Sequence, residues 1–227
     1  MTGSTLGIIS PHPPIMVAEV GGERASVTAA SAASMRQAAA LLADFAPETI
    51  VLMSPHAPLV RGAFTIDTSA RVSGDLASFG APSVRIDASG DAELADRIVT
   101  DAAAAGVPVT TRDTSPLLDP GVLDHAAVVP LSFLDREGRF AVVELSLAFL
   151  PFHDHVALGR AVRTAAAALG RRVAFVASGD CSHRLTRDAP AGFSPKGVDF
   201  DRELAALVAV GDFGGLAAFD ARTLDEV

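Results

Sequence analysis

The sequence contains no tryptophan, no tyrosine and a single cysteine, and it is poor in lysine. Without tryptophan or tyrosine, the chain lacks the two side chains that combine an aromatic body with a hydrogen-bonding tip. The solitary Cys181 excludes an internal disulfide and fits a reducing compartment. No uncharged apolar run approaches the ~18 residues needed to span a bilayer. Residues 1–16 lack a basic segment followed by an apolar one, so no secretory signal is expected. No amphipathic stretch rich in Lys and Arg suggests a membrane surface. The formal net charge of −9 gives no electrostatic reason to expect nucleic acid. These absences leave a cytoplasmic protein, with neither nucleic acid nor membrane as partner, as the expectation. The oligomeric state is not legible, and a homo-oligomer is compatible with everything in the sequence.

What is present is an ordinary globular composition. Hydrophobic residues make up 49% of the 227 and charged ones 20%, enough to bury a full core. Short β-branched runs alternate with alanine-rich stretches, which predicts an α/β architecture. Strands are expected over 6–10, 49–54, 64–69, 83–87, 140–147 and 173–177. Helices are expected over 33–45, 91–105, 155–169, 201–210 and 213–219, with Pro47, Gly106 and Gly170 as stops. No long low-complexity linker interrupts the chain, so residues 1–227 read as a single domain.

One phrase occurs twice. Ile9-Ser10-Pro11-His12-Pro13-Pro14 and Met53-Ser54-Pro55-His56-Ala57-Pro58 each follow a hydrophobic run. The echo is too short for a structural repeat. It does set two imidazoles in proline-stiffened loops at the carboxyl ends of strands, where α/β sheets bind their ligands. Proline restricts its own φ and the residue before it, so such loops lose little entropy on binding an ion. One such loop reads as a tight turn bearing a surface imidazole. Two alike favour His12 and His56 as metal ligands, imidazole being a common ligand for Fe, Zn, Cu and Ni.

The other four histidines divide. His183, in Ser178-Gly179-Asp180-Cys181-Ser182-His183, follows a buried run in a polar, glycine-containing turn. It is either a general acid/base or incidental to a helix start capped by Asp180 or Ser182. His125 follows Asp124 and precedes an apolar run; Asp124 either orients an imidazole or caps a helix beside a packed one. His153 and His155 form a His-x-His pair, but Asp154 between them reads as a helix cap and both read as surface residues. Cys181 reads as a small buried hydrophobe. The Gly-Gly pairs at 21–22 and 214–215 lack a nucleotide-binding pattern. A Ser178–His183–Asp hydrolase can be drawn, without a Gly-x-Ser-x-Gly elbow to support it. Arg171-Arg172 reads as solvated charge.

Four of these segments together resemble the class III extradiol ring-cleavage dioxygenases, most closely the single-chain branch with the Memo-like proteins and the AmmeMemoRadiSam system protein B group. They are Ser10-Pro11-His12-Pro13-Pro14, Ser54-Pro55-His56-Ala57, residues 123–131 around His125, and residues 178–185 around His183. Residues 188–195 (Asp-Ala-Pro-Ala-Gly-Phe-Ser-Pro) are similar to that branch as well. The resemblance implies a mixed central sheet with helices packed on it and the active site at one end. It implies that His12 and His56 belong to an Fe(II) facial triad, that His183 is the acid/base histidine, and that His125 lines the site near substrate and dioxygen. The family's third ligand is a Glu in a stretch resembling Glu-Ala-x-Glu-Cys-Gly, expected here beyond Val227; near the end stand only Asp220, Asp225 and Glu226. Memo-like proteins carry Cys directly before the last histidine, where this chain has Ser182, which leans toward the dioxygenase pattern.

The implied function is extradiol cleavage of a catechol-type aromatic diol by a non-heme Fe(II) enzyme that incorporates both atoms of dioxygen, with Zn or Cu as alternative metals after purification. The rival is a Memo-like metal-binding protein that cleaves no ring and acts through partners or a radical-SAM-linked system. The absence of Trp and Tyr, which commonly stack on or hydrogen-bond phenols, is a point for the rival. A zinc hydrolase using the same histidines has no supporting motif.

Overall fold

The computed structural model describes residues 4–189 and 191–227. Pro190, within the family-like stretch 188–195, and the first three residues of the chain lie outside the described residues. The chain divides into two compact units, the first ending at Gly179 and the second running over Asp180–Val227.

The first unit begins with β1 (Thr5–Ser10), α1 (Ala18–Gly21), α2 (Ala29–Phe45), β2 (Thr49–Ser54) and β3 (Phe64–Ile66). A hairpin of β4 (Arg71–Leu76) and β5 (Ala81–Ser89) follows, then α3 (Ala92–Ala104) and β6 (Val109–Thr111). The unit closes with α4 (His125–Leu134), β7 (Ala141–Ser146), α5 (Phe152–Leu169) and β8 (Val173–Ser178). Six strands form one mixed sheet in the order β1-β8-β2-β7-β3-β6, and β4 and β5 pair separately. All its pairings are parallel except β3 with β7.

The sequence explains this layering. Thr49-Ile50-Val51-Leu52-Met53-Ser54 is apolar on both faces because both faces are covered. On one side Ile50, Leu52, Val142, Ala174 and Val176 pack with α2, α4 and the β4–β5 hairpin. On the other, Val51, Val143, Leu145 and Val173 pack with α3 and α5. Helix α3 starts where Asp91 Oδ1 accepts the Leu94 amide at 3.1 Å, and buries Leu94, Ala95, Ile98 and Ala102 at helical spacing. Gly170, at φ 67°, ends α5 in the left-handed region that glycine occupies at no steric cost.

The expected α/β architecture is present, with local differences. Strand β3 stops at Ile66, short of 69, because the Asp67 carboxylate turns back onto the Ser69 amide at 2.9 Å. Helix α2 starts four residues before the expected 33. Asp154 is not the cap of α5: the helix begins at Phe152 behind Pro151, so His153 and His155 lie in its first turn. His153 is exposed, while His155 sits edge-on to Phe64 with ring centroids 4.8 Å apart. Strands β4 and β6 and helices α1 and α4 were not expected.

The second unit holds α6 (Gly197–Val210), α7 (Phe213–Ala217) and α8 (Ala221–Glu226). Asp212 and Asp220 cap the two short helices by accepting the Gly215 and Thr223 amides. No helix among the described residues is long and apolar enough to cross a membrane.

Candidate metal centre

Strands β1, β2 and β8 are parallel and in register, so their carboxyl ends share one edge of the sheet. His12 leaves that edge two residues after β1, and His56 two residues after β2. His125 opens α4, whose amino end comes to the same place. One ligand atom from each of these three imidazoles falls within a mutual span of 4.8 Å. The ring centroids are 5.2 Å apart for His12 and His56, 5.8 Å for His12 and His125, and 4.4 Å for His56 and His125. His12 is buried, His125 half-buried and His56 exposed, so the group is open on one side. Phe79 lies against His125 at a centroid separation of 5.1 Å.

Each loop is held from behind. Ser54 Oγ accepts the His56 amide at 3.1 Å and donates to Asp124 Oδ2 at 2.7 Å. The other oxygen of Asp124 accepts the amides of Ala126 at 2.6 Å and Ala127 at 3.3 Å, capping α4. Asp124 is thus a helix cap that also ties the His56 loop to the His125 helix. His12 Nδ1 stands 3.1 Å from Ser178 Oγ, which in turn lies 2.6 Å from the Ala126 carbonyl oxygen. Ser178 ends β8 and opposes Ser10 across the sheet.

Two cavities flank the segment that leads into α4. One of about 360 Å³ is bordered by His56, Leu59, Leu117 and Asp124. The other, about 380 Å³, is bordered by Ser73, Arg85, Leu123 and His125. Three imidazoles that share a 4.8 Å span and open toward cavities form a donor set suited to a borderline divalent cation.

Behind the site lies a buried charge cluster that sequence reasoning missed. Arg112, Asp67 and Glu144 are all buried, with Arg112 Nη1 3.4 Å from Asp67 Oδ2 and 2.7 Å from Glu144 Oε2. Burial pushes the Glu144 carboxyl up to about 8, against the pull of Arg112 and with the negative charges of Asp124 and Asp67 adding to the rise. The only sequence signal was an acid within the apolar run Ala141-Val142-Val143-Glu144-Leu145.

In the second unit, His183 is exposed, with Nε2 3.5 Å from Asp180 Oδ2. The Ser182 amide donates to Asp201 and its hydroxyl to the main-chain oxygen of Val227. Cys181 is exposed, not the buried hydrophobe expected. Desolvation, with Asp201 and Asp180 nearby, holds its thiol above the usual range, which disfavours the reactive thiolate. Glu226 is engaged by Lys196 and by Arg222 at 3.3 Å, contacts that lower its carboxyl.

This arrangement, a histidine cluster at the strand ends of a mixed α/β sheet, defines a candidate metalloprotein. The chain belongs to the family of the catalytic LigB subunit of aromatic ring-opening dioxygenases, whose model matches residues 6–226. It is 31% identical over 218 residues to a Clostridium acetobutylicum protein known by its locus, covering 94% of this chain and 47% of that one. It is 30% identical over 166 residues to a 3,4-dihydroxyphenylacetate 2,3-dioxygenase of Escherichia coli, covering 69% of this chain and 58% of that enzyme. The chain therefore spans about half the length of the curated relatives it matches. An uncharacterized Escherichia coli K12 protein of known crystal structure shares the fold, with a TM-score of 0.52 and 24% identity over 76% of this chain and 63% of that one.

Proposed function

We propose that the protein is a non-heme Fe(II)-dependent extradiol dioxygenase acting on a catechol-type aromatic diol. The observation that carries this reading is the convergence of His12, His56 and His125 within 4.8 Å in a chain of the ring-opening dioxygenase family. His12 and His56 would hold the iron, each on a proline-stiffened loop anchored to the amino end of α4. Bound iron(II) supplies Lewis acidity toward the diol oxygens and a route for electrons to dioxygen. His125 would serve as a hydrogen-bond donor to the diol or dioxygen, its ring packed against Phe79 and carried at the start of the helix that Asp124 caps. Leu59 and Leu117 give the cavity beside His56 apolar surface for an aromatic ring. The family's acid/base role falls on His183 by the match of its motif: it accepts a diol proton and returns it to the product.

The rival reading, a Memo-like metal-binding protein acting through partners, is favoured by the absence of Trp and Tyr from a site meant for phenols. Anaerobic loading with iron(II), followed by oxygen-uptake assays over a panel of catechols, separates the two. Oxygen consumption with the yellow absorbance of a ring-opened product supports the dioxygenase. Stoichiometric metal with no turnover of any catechol supports the rival.

A further inference from the structure

The sequence of α4 contains a proline, Pro130, in its interior. Its missing amide is the one that would meet the Ala126 carbonyl four residues earlier, so that carbonyl loses its helical donor. A buried carbonyl in that position needs another donor. The Ser178 hydroxyl supplies it at 2.6 Å, reaching across from the end of β8.

This fixes where the hydroxyl proton is. Two oxygens 2.6 Å apart, one of them a carbonyl with no hydrogen of its own, attract only if the serine proton lies between them. Ser178 Oγ then has lone pairs alone to offer His12 Nδ1, 3.1 Å away. The ring nitrogen must therefore carry hydrogen and donate. In neutral His12 this puts the lone pair on Nε2. An Nδ1 lone pair would face the serine lone pairs, a repulsive arrangement in a buried place.

We propose that Ser178 is a positioning residue that selects the tautomer and ring orientation of His12, with Pro130 creating the acceptor that commits the serine proton. The unit is a relay of three parts: a proline that vacates a carbonyl, a serine that fills it, and an imidazole left with one possible donor nitrogen. It makes Nε2 the ligand atom of His12 and resembles the outer partners that orient metal-bound histidines generally. Its value for metal binding rests on the proposed role of His12, but the tautomer itself does not. The relay also ties His12 to the helix that carries His125.

The test has a metal-free arm and a metal arm. In the metal-free protein with ¹⁵N-labelled histidine, long-range proton–nitrogen correlation spectra should show His12 as the Nδ1–H tautomer. Ser178→Ala should yield a tautomer mixture and weaken zinc(II) binding, measured calorimetrically, by ~10–100-fold. Ser178→Thr keeps the hydroxyl and should restore the tautomer. It also guards against a misfolded alanine variant, as does comparison of the thermal midpoints. An Nε2–H tautomer in the unaltered protein overturns the proposal, and so does an unchanged His12 spectrum in Ser178→Ala. A correct tautomer in a protein that binds no zinc(II) leaves the relay standing and removes the metal reading instead.

Discussion

Arg112 Nη1 lies 2.7 Å from Glu144 Oε2, and both side chains are wholly removed from solvent. Arg112 also faces Asp67, so one buried cation meets two carboxyl groups, with the charge of Asp124 felt beyond them. The cluster is neutral only if one acid keeps its proton. Glu144 is the one, its carboxyl pushed up to about 8. Arg112 Nε and Nη2 and Glu144 Oε1 find no hydrogen-bond partner among the described residues, which makes further charge there costly.

A pH dependence of stability follows. In the unfolded chain Glu144 ionises near 4.5, whereas folded it holds its proton to about 8. Between those values the folded state binds one proton more than the unfolded state, so stability falls as pH rises and levels off above the folded value. The slope from this group is at most about 1.4 kcal/mol per pH unit. Glu144→Gln imitates the protonated acid and should flatten the profile, leaving the variant more stable than the parent at pH 8. Urea denaturation from pH 5 to 9 measures this. Parallel profiles for the two proteins would show that Glu144 is ionised in the fold.

Asp124 joins two of the three imidazoles by capping α4 with one oxygen and holding Ser54 with the other. Asp124→Ala removes the cap and should cost about 1–2 kcal/mol of stability. Asp124→Asn keeps an acceptor for the Ala126 amide and should cost less. Both should weaken zinc(II) binding, because the His56 loop loses its anchor. A stability loss with unchanged affinity would reduce Asp124 to a helix cap alone.

How much of this was legible follows from what kind of signal each part leaves. The strands β1, β2 and β8 are continuous apolar runs, and helices α3 and α5 carry periodic apolar faces with glycine after them, so period and punctuation sufficed. Helix α4 was hidden because His125-Ala126-Ala127-Val128-Val129-Pro130-Leu131 is apolar on every side and holds a proline that normally argues against a helix. Strand β6 is three residues long, too short for a period. His12 and His56 announced themselves by their repeated phrase. That a ring nitrogen of His125 comes within 4.8 Å of theirs depends on where α4 begins, and no local pattern carried that. The Glu144–Arg112 contact links residues 32 positions apart and is a product of the sheet order alone.

If His12 and His56 hold the metal, removing either ring should matter far more than removing an imidazole elsewhere. His12→Ala and His56→Ala should each lower zinc(II) affinity by at least ~10²-fold, the upper end of the cost of losing an outer partner. His153→Ala serves as control, because that ring is exposed on the first turn of α5. Equal effects of all three substitutions would point to adventitious binding by surface imidazoles.

His183 differs from the three clustered histidines in what its loss should do. Under the proposed function its motif would make it the acid/base of the reaction; its ring is exposed, with Asp180 as neighbour. An acid/base contributes to the barrier and not to the hold on the ion. His183→Gln keeps a polar side chain of similar reach without a group that titrates near neutrality. The variant should retain the parent's iron content after anaerobic loading and turn over a catechol ~10²–10⁴-fold more slowly. The pH profile of the residual rate should lose the limb that reports the missing base. Iron lost together with turnover would make His183 a ligand, and turnover within a few-fold of the parent would remove it from the chemistry.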